Sequence, residues 1–222
     1  MRLAHLGHAC LLVDIGGQRV LIDPGVFSPG IVDVTGLSLI LVTHQHADHV
    51  DLERLPALLR ANPQARLYAE PQAAAVMGEA GITAEHTVSG EPLTFGTVQV
   101  MPVGDVHALI NEALPRIGNL GVVLRSEGEP ILFHPGDAYD AEPGETDILA
   151  LPLNAPWAAG RDTVAFAQRI SPRVVVPIHD ALLSDLGREL YLSQVQRFGP
   201  EGMEVRDLSD GAPADFGCDR RL

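Results

Sequence analysis

The chain predicts an α/β (α+β) fold of two mixed β-sheets packed together with helices outside. Three observations carry that expectation. The opening segment through Asp23 consists of short apolar runs joined by a glycine pair, the last third alternates strand-length and helix-length segments, and no linker or tandem repeat divides the 222 residues. A single domain spanning residues 1–222 follows.

Taken in order, Arg2 to Leu6, Cys10 to Ile15 and Arg19 to Ile22 read as strands, with Gly16-Gly17 as a hairpin turn between the last two. Leu37 to Val42 is a continuous apolar run of strand length that ends on a histidine-rich loop, and Val50 to Arg60 then reads as an amphipathic helix. Ala65 to Ala69 is a strand, Pro71 to Glu79 a helix opened by proline, and Thr97 to Val103 a half-buried strand. Strands follow at Leu120 to Arg125, Pro130 to Phe133, Ile148 to Leu151 and Arg173 to Val176. Helices are expected at Asp162 to Ile170, with Asp162 as N-cap, and at Ser184 to Phe198.

Composition removes several functions. The 15 basic residues are all arginine, because the sequence has no lysine, so lysine Schiff-base chemistry and a lysine-dependent phosphate loop are excluded. A net charge of −14 argues against nucleic acid, whose binding rests on cations that displace phosphate counterions, and against an anionic membrane surface. The two cysteines, Cys10 and Cys218, form no CxxC pair and suggest a reducing compartment. With no run of about 18 apolar residues, a cytoplasmic protein acting on a small molecule is expected. No GxSxG elbow occurs, so a serine nucleophile has no support.

The chemistry is concentrated in Thr43-His44-Gln45-His46-Ala47-Asp48-His49, three imidazoles and a carboxylate directly after a buried strand. Such crowding leaves buried polar groups unsatisfied unless a cation lies among them, and a divalent metal supplies one. His44 and His46, two apart on an extended segment, can face one ion, while Asp48 and His49 offer an oxygen and a nitrogen to a second.

This His44-x-His46-x-Asp48-His49 pattern resembles the signature of the metallo-β-lactamase superfamily, metal-dependent hydrolases with a four-layer αββα sandwich. Gly7-His8-Ala9 and Ile22-Asp23-Pro24 are similar to the first strands of the branch containing ascorbate-6-phosphate lactonase and related uncharacterised hydrolases. Position by position, the resemblance implies His107 as the next ligand, Asp137 in Phe133-His134-Pro135-Gly136-Asp137 as the bridging carboxylate, and His179 in Pro177-Ile178-His179 as the last. His44, His46 and His107 would then hold one metal and Asp48, His49 and His179 the other, with Asp137 shared. The reaction implied is attack by a hydroxide bridging the two ions on an ester, lactone or phosphoester, with Asp48 orienting the hydroxide or receiving its proton. Zinc is the default metal, and manganese, iron, cobalt or nickel suit the same donors.

Outside the ligands, His8 and Asp23 are candidates either to orient a ligand imidazole or for strand-end packing. His134 is a candidate acid for the leaving group. Arg116, Asn119, Asn154 and Trp157 are candidate substrate contacts, Arg116 for an anionic group and Trp157 as an aromatic cover. Alternatives are a non-catalytic metal-binding or sensory protein of this fold, or a redox dimetal protein. The latter usually places a carboxylate where this chain has His46. Association into a homo-oligomer stays open, since nothing in the sequence specifies an interface.

Overall fold

The computed structural model describes residues 1–218, and the last four residues of the expected domain lie outside it. Fourteen strands form two seven-stranded sheets. The first sheet contains β1 (Arg2–His5), β2 (Leu11–Ile15), β3 (Gln18–Ile22), β4 (Leu39–Val42), β5 (Arg66–Ala69) and β6 (Glu85–His86) in chain order, with β14 (Ala214–Asp215) added beside β1. The second runs from β7 (Leu93–Phe95) through β8 (Val98–Val103), β9 (Gly121–Arg125), β10 (Leu132–His134), β11 (Ile148–Pro152) and β12 (Val174–Ile178) to β13 (Glu204–Val205). Both sheets begin as antiparallel ladders and continue as parallel ones, changing at the β3/β4 pair and at the β10/β11 pair. The two sheets are therefore mixed, as expected.

Four helices cover the outer faces: α1 (Leu55–Ala61) and α2 (Pro71–Glu79) on the first sheet, α3 (Gly160–Ile170) and α4 (Asp185–Phe198) on the second. The strand alternation explains the layering. Leu11, Val13 and Ile15 of β2 join Val20, Ile22, Leu39 and Leu41 against Val122, Leu124, Ile148 and Val176 of the second sheet. The intervening Leu12, Leu21 and Ile40 face Leu55, Leu58 and Met77 of the helices instead. Strands buried on both faces lose the polar half of the alternation, which is why β4, β11 and β12 are uninterrupted apolar runs. None of the described helices is long and apolar enough to cross a membrane.

Several strand ends shift by one or two residues, β7 was not expected, and two helix starts differ from expectation. The helix expected from Val50 begins at Leu55, because residues 46–54 are turns in which the Asp51 carboxylate accepts from the N–H groups of Glu53 and Arg54, both at 2.9 Å. Asp162 lies inside the first turn of α3, where its charge favours the helix dipole, and the N-cap is Ala159. The two-residue strands β6, β13 and β14 were too short to show periodicity.

Candidate metal centre

The site lies where loops gather at one end of the paired sheets. His44, His46, Asp48 and His49 follow β4, and His8 and Asp23 flank β2 and β3, all on the first sheet. His107, Asp137 and His179 follow β8, β10 and β12 of the second. Among the described residues, three of the four non-glycine residues with positive φ are His8 (52°), Asp23 (50°) and His179 (57°). Left-handed backbone is costly for such residues, and here it is confined to the site apart from Ser171 at the end of α3. The His179 N–H donates to the His8 carbonyl at 2.7 Å, joining the two sheets at this point.

Two clusters result. Ligand-type atoms of His44, His46, His107 and Asp137 lie within 4.8 Å of one another, and so do those of His8, Asp48, His49 and His179. Asp137 reaches both: its carboxylate oxygens are 3.0 Å from His49 Nε2, 3.4 Å from His107 Nε2 and 3.2 Å from His179 Nε2. The structure thus brings together all seven residues implied as ligands.

The back side of three of the imidazoles is fixed. His49 Nδ1 donates to Asp23 Oδ2 at 2.7 Å, His107 Nδ1 to the Ala108 carbonyl at 2.6 Å, and His179 Nδ1 to the Asn154 carbonyl at 2.6 Å. With Nδ1 carrying the proton, each Nε2 presents a lone pair inward. These three Nε2 atoms and Asp137 Oδ1 are buried without a hydrogen-bond partner. Buried polar groups are rarely left so, and four converging donors of metal-ligand type are what a divalent cation satisfies. The residues present therefore fit a metal pair.

Asp23 is fully buried and also accepts from Thr43, through the backbone N–H at 2.8 Å and the hydroxyl at 2.7 Å. Of the two readings open for Asp23 and His8, orientation of a ligand describes both. His8 Nδ1 accepts from the Ala181 N–H at 3.4 Å, so Nε2 carries the proton and donates to Asp48 Oδ2 at 3.0 Å. His8 thus holds Asp48, although it lies close enough to be counted with that cluster.

Charge is distributed in the same sense. Burial opposes ionisation of Asp137, but His49 and His179 outweigh it and hold the carboxyl well below its usual range. Burial likewise opposes charge on His49, and Asp137 and Asp23 overcome it, raising the imidazole well above its usual value. His179 is raised to about 9, with Asp137 and Asp48 overriding burial. His44 and His46 go the other way, lowered first by burial and then by neighbouring imidazoles. The cluster holds anionic carboxylates that attract cations, whether protons or metal.

The remaining candidates divide. His134 is fully buried; its Nε2 donates to the Ala9 carbonyl at 2.8 Å and its Nδ1 accepts from the Gly136 N–H at 3.2 Å. Both nitrogens serve the backbone, so the structure does not bring this expected leaving-group acid to the opening. Asn119 is also buried and turned inward, donating to the Pro135 carbonyl and accepting from the Asp137 N–H, both at 2.9 Å. It secures the Asp137 loop where a substrate contact was expected. Gly136 permits this packing, since a Cβ there would lie 2.3 Å from Asn119 Oδ1.

Asn154 contributes its backbone carbonyl to His179. Trp157 walls the site, its indole N–H donating to Asp137 Oδ2 at 2.9 Å and its ring lying edge-on to His107 and His179. Arg116 is exposed and donates through Nε and Nη2 to the His107 carbonyl at 3.2 and 2.6 Å. The sequence reading missed Thr43 and Tyr139. Tyr139 donates to the Pro152 carbonyl at 2.7 Å and meets Trp157 edge-on, a contact with no sequence signal of its own.

A fold of two mixed sheets between helices, with a His/Asp cluster at one end of the sheets, defines a metal-binding αββα sandwich. The family described as Beta-lactamase superfamily domain matches residues 2–179, and the chain belongs to the metallo-β-lactamase superfamily. It is 42% identical over 206 residues to Protein Rv0786c of Mycobacterium tuberculosis, covering 92% of this chain and 96% of that protein. It is 29% identical over 201 residues to an Azorhizobium caulinodans protein named UPF0173 metal-dependent hydrolase, covering 81% and 85%. Among solved structures, Igni18, a metallo hydrolase of Ignicoccus hospitalis, superposes with a TM-score of 0.74 at 18% identity, covering 97% of this chain and 98% of that one. An isothiocyanate hydrolase from Delia radicum gut bacteria gives 0.73 at 19%, covering 98% and 100%.

Proposed function

We propose that this chain, a metal-dependent hydrolase of the metallo-β-lactamase fold, holds two divalent ions and hydrolyses an ester, lactone or phosphoester of a small molecule. His44, His46 and His107 would hold one ion, Asp48, His49 and His179 the other, and Asp137 both. The observation that carries this reading is the convergence of His49 Nε2, His107 Nε2, His179 Nε2 and Asp137 Oδ1, all buried and unpartnered. When bound, the ion pair supplies a hydroxide nucleophile near neutral pH and a Lewis acid for the oxygen that gains charge. Zinc is the first metal to test, because imidazole-rich donor sets suit it.

The chain's own residues do the rest. Asp23, Ala108 and Asn154 fix the imidazoles of His49, His107 and His179, Asn119 and Trp157 fix Asp137, and His8 aims Asp48. Asp48 is partly exposed, and the neighbouring His179 and His8 hold its carboxyl ionised against the effect of burial, so it would act as an anionic ligand that orients the attacking water. Water adds across the scissile bond, oxygen to the acyl or phosphoryl centre and hydrogen to the leaving oxygen. Trp157 and Asn154, which touch Asp137 and His179, would border the substrate. The whole chain acts as one domain, and a cytoplasmic setting suits its free cysteines.

Elemental analysis of protein purified without chelator tests the assignment. Wild type should carry close to two metals per chain and His107→Ala, His179→Ala and Asp48→Ala about one each, with most turnover lost in Asp48→Ala. Wild type that takes up no metal on reconstitution would overturn the reading, and so would an Asp48→Ala enzyme of normal rate the role given to Asp48.

A further inference from the structure

The segment between β8 and β9 delivers His107 and then folds back on itself, Val106 pairing with Gly118 in an antiparallel bridge. It borders a cavity of about 220 Å³ that His46 and His107 themselves help to line. Leu109, Ile110, Leu114, Pro115 and Ile117 make most of its wall. Leu109 and Leu114 are about half exposed, at 49% and 53%. Large apolar side chains gathered in the open beside a polar site mark a surface that an apolar group covers.

The wall is built. The His107 N–H donates to the Ile117 carbonyl at 2.9 Å and the Leu114 N–H to the Asn111 carbonyl at 3.0 Å, while the Gly118 N–H donates to Gln72 Oε1 at 2.9 Å. Arg116, the one charged side chain lining the cavity, has Nε and Nη2 committed to the His107 carbonyl. These two bonds give it a part in closing the loop, and the wall around it is otherwise uncharged and mostly apolar.

Resting on the hydrolase reading above, we propose that this cavity binds an uncharged acyl or alkyl group next to the scissile bond. The substrate class is then a small acyl ester or lactone with an apolar tail, not a phosphorylated or carboxylated compound. At about 30 Å³ per heavy atom the cavity accepts roughly seven, below the size of clefts for drug-sized ligands, which begin at about 300 Å³. The tail is therefore short, and the scissile group meets the metal ligands at the His46 and His107 end.

Binding of n-alkanehydroxamates to the metal-loaded protein, followed by titration calorimetry, separates the tail from the metal. Their head group chelates the ions, and the chain length probes the cavity. Kd should fall about threefold to fourfold per methylene from acetohydroxamate to about the seven-carbon member, then level off. Leu109→Asn and Leu114→Asn should each flatten that dependence, and adipic monohydroxamate should bind at least tenfold more weakly than hexanohydroxamate. Equal affinity along the series, with acetohydroxamate still bound, overturns the proposal and leaves the metal reading standing. Tighter binding of the carboxylate-ended chain, lost in Arg116→Ala, overturns it in favour of an anionic substrate. A protein that carries no metal and binds no hydroxamate overturns the hydrolase reading and this inference with it.

Discussion

Replacing Asp23 by asparagine should disable one metal position without disturbing the backbone. Asp23 sits at φ 50°, a left-handed conformation that asparagine also tolerates, so the substitution isolates the carboxylate. The amide oxygen can keep the Thr43 N–H, but an NH₂ group now stands where Oδ2 accepted from the Thr43 hydroxyl and from His49 Nδ1, each at 2.7 Å. The threonine hydroxyl can rotate. The imidazole has one remedy, to move its proton from Nδ1 to Nε2, and that blocks the lone pair aimed at the metal. Loss of such a supporting partner lowers metal affinity about 10- to 100-fold, which removes about 1.4–2.7 kcal/mol of metal-linked stability. In the metal-free protein, exchanging a hydrogen bond to a charged group for a neutral one costs about 1–2 kcal/mol, or about 2–8 °C in Tm for a domain of this size. Calorimetry with and without zinc measures both effects. If zinc raises the Tm of Asp23→Asn as much as that of wild type, the tautomer argument is wrong.

Two further outcomes are expected. In the metal-free protein, the proton on His179, raised to about 9, contributes stability that is fully present below the unfolded value near 6.5 and lost as pH rises through about 9. Metal binding displaces such protons, so zinc affinity should instead fall as pH is lowered from about 9; titrations in buffers of different ionisation heat should show proton release at pH 7, and none would contradict the charge arrangement. Gly25→Ala would place a Cβ 1.8 Å from the Asp48 carbonyl oxygen, so the loop carrying Asp48 must shift. A loss of about 1–3 kcal/mol and a marked fall in turnover are expected, with thermal unfolding and a rate assay as the check.

Much of the molecule was legible because the relevant physics is local. Strands such as β11 and β12, buried on both faces, can only be written as continuous apolar runs, and the ligand density of His44 to His49 has few structural explanations. His107, Asp137 and His179 carry no such density and were identified through the order in which they arrive along the chain. The direction in which loop side chains turn was not legible. His134, three residues before Asp137, and Asn119, on the chain after His107, were read as reaching outward, yet each bonds backbone in the interior. The acceptors that set the His107 and His179 tautomers are carbonyls of Ala108 and Asn154, which any residue could supply, so no residue type announces them.

The hydrogen bond between His179 and the His8 carbonyl, with ligands contributed by both sheets, also orders events in the life of the chain. During synthesis the first sheet emerges with His44 to His49 exposed, but the matching nitrogen of His179 arrives only when β12 has been made. A nascent chain can therefore hold a metal only loosely, and firm capture waits for the second sheet to dock. Under the two-metal reading, metal occupancy would then report completed assembly, and a truncated or misdocked chain would bind its ions weakly.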